Sequence, residues 1–158
     1  MKLKPLVDNI EKRADAYADR TGVVVEVHYD ADPELVVRAD YTKLETILRN
    51  ILSNSISYTK SGGLVQLFVE SDRENVRFTI SDTGIGVSEE DMPRVFDRFF
   101  RADKSRNRSA GGTGLGLPIA KEYVEAHGGS IDLRSQLGKG TTVFVDMPIV
   151  VQTGAGDD

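Results

Sequence analysis

Apolar and polar positions recur with two different periods along this chain, and the places where the period changes divide it into elements. Leu3, Leu6, Val7, Ile10, Ala14 and Tyr17 have helical spacing, so a helix is expected from Leu3 to about Ala18, with Gly22 as its stop. Val23 to Tyr29 is rich in β-branched residues and reads as a strand. Leu35 to Ala39 reads as a second, short strand after Pro33. Leu44, Ile47, Leu48, Ile51, Leu52 and Ile56 return to the helical period behind Asp40, a good N-cap, and predict a long helix through Ser57.

Ser61-Gly62-Gly63 then makes a turn. Leu64 to Glu70 and Val76 to Ser81 alternate apolar and polar, which predicts a hairpin with one buried face. Ser88 and Asp91 make a capping-box pattern before a short helix reaching Phe96. Residues 101–113 are polar, basic and glycine-containing and read as a long loop. Leu115 to Ala126 is a helix closed by Gly128-Gly129. Ser130 to Ser135 and Thr141 to Met147 are final strands around the turn Gly138-Lys139-Gly140, and Gln152 to Asp158 is a frayed tail. Hairpin-spaced strands mixed with helices fit α+β layers better than strict βαβ alternation.

Composition narrows this picture only a little. The 158 residues suit one domain, and 39% hydrophobic with 28% charged is ordinary for a globular chain. There is no cysteine, which excludes disulfides and thiolate metal sites. No apolar run approaches the roughly 20 residues of a spanning helix, and no apolar stretch follows Lys2 and Lys4, so no signal peptide is expected. A net charge of -5 argues against a nucleic-acid partner. Arg98, Arg101, Lys104, Arg106 and Arg108 concentrate positive charge in one segment, either a solvated loop or a seat for a small anion.

Three clusters carry candidate chemistry. Asn50 and Asn54 share one helix face beside apolar neighbours, where their carbonyls could serve a hard cation or bond a neighbouring loop. In Asp82-Thr83-Gly84-Ile85-Gly86 a strand ends at a carboxylate followed by two glycines. That arrangement either lets the backbone approach a flat ligand whose amine the carboxylate accepts, or is an Asx-turn leading into a glycine turn. In Gly111-Gly112-Thr113-Gly114-Leu115-Gly116-Leu117-Pro118, glycines open a helix whose first N–H groups and dipole favour phosphate. The spacing is neither a dinucleotide fingerprint nor a Walker A loop.

Taken together and in this order, these motifs resemble the catalytic and ATP-binding domain of bacterial sensor histidine kinases. That domain belongs to the GHKL superfamily shared with DNA gyrase, the ninety-kilodalton heat-shock chaperone and the mismatch-repair ATPase MutL. Asn50 to Thr59 looks like the N box, Asp82 to Gly86 the G1 box, Phe96 to Arg101 the F box, and Gly112 to Leu117 the G2 box. Gly138 to Thr142 looks like the last glycine turn, so the resemblance runs from about Leu3 to Pro148.

The resemblance implies an α+β two-layer sandwich of the Bergerat type. A mixed, mostly antiparallel sheet would pack on helices and carry a flexible ATP lid. It divides the chain into a linker and first helix (1–22), the catalytic domain (23–148) and a disordered tail (149–158). It implies ATP and Mg2+, with Asn54 the main metal ligand, Asn50 its helper, and Asp82 binding the adenine amine. Gly84 and Gly86 would shape the base pocket, Thr142 or Thr141 would reach the base through water, and Tyr58 would flank the nucleotide. Arg101, Lys104, Arg106 and Arg108 would meet the phosphates. Gly112, Thr113, Gly114, Leu115 and Gly116 would form the lid, with Phe96, Phe99 and Phe100 anchoring its start.

Two positions distinguish this chain within the resemblance. The family's N box usually has a lysine or arginine immediately before the aromatic, and here that residue is Ser57, with Lys60 a nearby candidate to replace it. The hydrolytic relatives carry a glutamate one turn before the metal-binding asparagine, and here that residue is Asn50. Kinase donation is therefore expected over hydrolysis, the alternative being an ATP-hydrolysing or degenerate nucleotide-binding module of the same superfamily.

The two histidines, His28 and His127, lack the family's phosphoacceptor pattern and read as structural. The acceptor histidine is then expected on a separate dimerisation domain of a homodimeric parent that passes phosphate to a response regulator. This domain would be cytoplasmic and monomeric by itself, with the parent anchored in the bacterial inner membrane.

Overall fold

The computed structural model describes residues 1–97 and 116–149. The elements in order are α1 (Leu3–Thr21), β1 (Val24–Asp30), α2 (Tyr41–Ser57), β2 (Leu64–Ser71), β3 (Asn75–Asp82), α3 (Gly116–Ala126), β4 (Ser130–Gln136) and β5 (Gly140–Pro148). A single 3-10 turn, Met92–Arg94, is all that the segment after Ser88 makes within the described residues. Pro93 sits in its first turn, and the Ser88 hydroxyl accepts from Asp91 N at 3.3 Å ahead of it.

Helix ends follow local chemistry. Gly22 closes α1 at φ +77°, its N–H donating to Ala18 O at 2.8 Å. Asp40 caps α2, its side chain accepting from Lys43 N at 2.9 Å. Asp40→Ala is expected to cost about 1 kcal/mol, read as a lower urea midpoint at unchanged slope.

One expected strand is absent. Leu35 to Ala39 makes only an isolated bridge, Lys2 to Val36. Leu35 O accepts from Leu3 N at 3.0 Å and Val37 N donates to Met1 O at 2.9 Å, so the segment is used up on the start of α1 and never reaches the sheet.

The five strands lie in the order β1-β2-β3-β5-β4. β1 pairs with β2 in parallel because α2 carries the chain back between them, and the other pairs are antiparallel. One face is covered by the helices. Val65, Leu67, Val69, Phe78, Ile80, Val143 and Val145 from the sheet pack against Leu3, Leu6 and Ile10 of α1, Leu48, Ile51 and Leu52 of α2, and Ala120 and Val124 of α3. The covered face is therefore a continuous apolar layer, and it organises everything at its edge.

The other face has no helices over it among the described residues. Its rings are shielded by flat polar groups instead: His28 stacks on Phe68 at 4.8 Å, and Arg77 and Arg134 lie over Phe144 at 5.1 and 5.8 Å. Arg77 also holds Asp146 through two bonds of 2.8 and 2.9 Å.

Candidate functional site

The site forms where the covered face of the sheet runs out. On β3, Val76, Phe78 and Ile80 point under the helices, and Asp82 is the next residue in that alternation. The apolar layer thus ends in a carboxylate. Its Oδ1 accepts Gly84 N at 2.8 Å and Thr141 N at 3.2 Å, and the Ser55 hydroxyl of α2 is a third donor to the group. Burial pushes the Asp82 pKa up, and these three donors pull it partly back. A carboxylate offers about four acceptor positions, so three donors leave one for an amine arriving from outside.

The end of α2 is tied to the loop after Asp82. Tyr58 N donates to Asn54 O at 3.1 Å, and Tyr58 O accepts Ile85 N at 3.1 Å. A Cβ on Gly84 would stand 2.5 Å from that same Tyr58 O, so only glycine permits the approach. Asn50 and Asn54 are both half-buried on α2. Among the described residues neither carboxamide has a hydrogen-bond partner. A pair of free amide oxygens one helical turn apart suits a hard cation that completes its shell with phosphate and water. No cluster of His, Cys, Asp and Glu able to hold a metal exists among the described residues.

The structure places two further sets of expected residues. Register puts Thr141 opposite Asp82 and Thr142 opposite Ser81. Thr142 Oγ1 meets Ser81 Oγ at 3.2 Å on the uncovered face, and the strand lies between it and Asp82. Thr141 is therefore the threonine on the site's side, its Oγ1 held by Ser135 Oγ at 2.8 Å. Gly86 has φ +73°, and a Cβ there would stand 2.1 Å from Gln136 O. Its smallness seats the β4–β5 turn, where Gly138 N also donates to Ile85 O at 2.7 Å. Gly86 is thus packed directly against that turn.

Several expected residues lie outside the described ones: Arg98, Phe99, Phe100, Arg101, Lys104, Arg106, Arg108, Gly112, Thr113, Gly114 and Leu115. The expected tail from residue 150 onward does too. Gly116 is the first residue of α3, with Pro118 in its opening turn. Phe96 packs partly into the core, with the Lys121 ammonium 5.1 Å from its ring centroid.

Residues given no role of their own in the sequence reading lie close by. Ser55 and Gly140 touch Asp82, and Tyr17 OH lies 3.1 Å from Ser57 Oγ, 40 positions away. His28 sits on the uncovered face, and His127 Nδ1 lies 2.9 Å from Tyr123 O at the end of α3. A separate polar cleft of about 550 Å³ lies at the opposite end of the sheet, lined by Glu70, Asp72, Arg77 and Asp146 among others. Its carboxylates, and the engagement of Arg77 by Asp146, make it a poor seat for a polyanion.

Comparison with known proteins adds four findings. The family model described as histidine kinase-, DNA gyrase B-, and HSP90-like ATPase matches residues 39–151. The sensor histidine kinase WalK of Bacillus subtilis is 43% identical over 137 residues, 82% of this chain and 22% of the relative. The structure titled mycobacterial sensor histidine kinase MprB superposes with a TM-score of 0.78 at 26% identity, covering 94% of this chain and 97% of that one. The structure of full-length ShkA in complex with AMPPNP gives a TM-score of 0.80 at 26% identity, covering 96% of this chain and 31% of that one. The chain thus spans about a fifth to a third of the length of the curated relatives it matches.

Proposed function

The chain belongs to the histidine kinase-, DNA gyrase B- and HSP90-like ATPase family, and from that membership we propose that it is the ATP-binding catalytic domain of a sensor histidine kinase. In this reading it donates the γ-phosphoryl group of ATP to a histidine on a separate dimerisation domain, from which a response regulator takes it.

One observation carries the reading. Asp82, at the end of the apolar sheet face, is fixed by Gly84 N and Thr141 N while keeping an acceptor position open. Adenine presents a donor amine on a flat apolar ring, which fits a carboxylate at the edge of an apolar layer. The related structure titled full-length ShkA in complex with AMPPNP, an ATP analogue, supports an adenine nucleotide as the ligand class.

Asn54, with Asn50, would hold Mg2+, whose charge neutralises the phosphates. Phosphoryl transfer depends mainly on positioning and charge neutralisation, and the protein's part here is to orient base and metal from two rigid elements. Tyr58 and Thr141 would line the base. Arg101, Lys104, Arg106 and Arg108 would supply phosphate cations, and Gly112 to Gly116 a closing lid. Asn50 offers no carboxylate base to activate water, so turnover of ATP without an acceptor is expected to be slow.

No helix among the described residues is long and apolar enough to cross a membrane. We place the domain in the cytoplasm, with the parent homodimer anchored in the bacterial inner membrane.

Calorimetric titration with ATP and Mg2+ is expected to give saturable one-to-one binding, strengthened by the metal. Absence of saturable binding up to about millimolar ATP, a free energy near −4 kcal/mol, would sink the proposal. Phosphorylation of a dimerisation domain supplied in trans would then establish the transfer.

A further inference from the structure

We propose that α1 supplies the phosphate-side contact that α2 lacks: the Tyr17 hydroxyl and the Arg20 guanidinium flank the polyphosphate of the bound nucleotide. The inference rests on the ATP reading above and goes beyond it, because it assigns a ligand role to a helix outside every motif of the site.

The geometry starts from Ser57. It follows Asn54 by three residues, so the two lie about 60° apart around α2 and are neighbours on its surface. A side chain at position 57 therefore borders whatever Asn54 holds. A serine is too short and uncharged to grip an anion held beside Asn54. The gap is filled from another helix. The Tyr17 phenol spans from α1 and ends with its oxygen 3.1 Å from Ser57 Oγ. Two hydroxyls in one contact use one hydrogen between them, and the other hydrogen stays available. Neither hydroxyl has another partner among the described residues. The pair thus presents a donor next to the Asn54 face.

Arg20 brings the charge. Its guanidinium carbon is 5.3 Å from the Tyr17 ring centroid, in the last turn of α1. It is exposed and has no carboxylate partner among the described residues. Stacked on the phenol, it retains its donors for an anion. An arginine beside two hydroxyls is a donor set suited to phosphate oxygens. The plainer role for Arg20 is a cation favouring a helix C-terminus, and for Tyr17 a strut between helices. Lys60, the cation nearest in sequence, sits in an exposed turn whose carbonyl accepts Gly63 N at 2.8 Å.

The test compares ligands with and without phosphates. The 158-residue chain and its Y17F, R20Q and K60Q variants are titrated with ATP and adenosine in the presence of Mg2+, with Ser57→Lys added to R20Q. Y17F and R20Q are expected to weaken ATP by about three- to tenfold each, with adenosine held within about twofold. Ser57→Lys is expected to restore most of the loss in R20Q.

ATP affinity within about twofold of the parent in both variants would overturn the inference. So would parallel losses for ATP and adenosine, which mark a strut, or a loss that follows K60Q alone. R20Q alters an exposed side chain, so it tests the proposal even if Y17F melts early. A parent chain that binds neither ligand would overturn the ATP reading itself, whereas a parent that binds ATP with indifferent variants removes only the α1 contact.

Discussion

Asp82→Asn is expected to lower ATP affinity by about ten- to a hundredfold, since a hydrogen bond to a charged group contributes about 1.5–3 kcal/mol. The fold is expected to survive, because an asparagine oxygen can still accept Gly84 N and Thr141 N. What the variant loses is the charge, together with an acceptor position turned to the base.

The ligand-free variant is also expected to melt no lower than the parent at neutral pH. Burial raises the folded-state pKa of Asp82. A raised carboxyl pKa means that the folded state holds the proton more tightly than the unfolded chain. Its contribution is therefore most favourable in acid and is lost as pH rises from the ordinary aspartate range through the raised value. Asparagine escapes that loss, so the difference between the two proteins should vanish in acid. Unchanged ATP affinity would place the base elsewhere. A collapsed melting curve would make Asp82 structural.

Gly140→Ala is the second large effect. Gly140 has φ +122°, and a Cβ there would stand 2.0 Å from Asp82 O and 2.9 Å from Asp82 C. Both obstacles are backbone, so β3 and β5 must separate where Thr141 N reaches Asp82. Strain plus displacement is expected to cost about 3 kcal/mol or more, a fall of about 6–12 °C in Tm for a domain of this size. Nucleotide affinity should fall with it. Gly138→Ala is the matched control: its φ is +82° but nothing lies within 4 Å of the added carbon. It should cost about 1–2 kcal/mol and leave affinity alone. Equal damage from both substitutions would show that backbone conformation, and not the approach to Asp82, makes Gly140 necessary.

Local chemistry explains which features could be read from the chain. The apolar spacing of α1 and α2, the Asp40 cap and the Gly22 stop are each decided within a few residues, and they fall where expected. Asp82 and Asn54 were legible because a carboxylate before spaced glycines and asparagines on one helix face are short-range patterns. The choice between Thr141 and Thr142 was not legible, since it depends on a register with β3 set 59 residues away. The order that inserts β5 between β3 and β4 is likewise a property of the whole sheet. Leu35 to Ala39 misled because β-branched residues signal extended chain, and only the competing bonds to Met1 and Leu3 decide that it stays outside the sheet. Tyr17 carried a helical apolar spacing and nothing more, its hydroxyl acquiring meaning only when α1 lies along α2.

The strand order leaves β1 and β4 as the two margins of the sheet. A bare margin invites another chain to add itself as a sixth strand and so to begin a fibre. Glu26 and Asp30 along one margin, and Asp132 and Arg134 along the other, place charge at alternate exposed positions. A neighbouring copy docking there would have to strip water from those groups at each step. The charged margins thereby disfavour strand addition by a neighbouring copy.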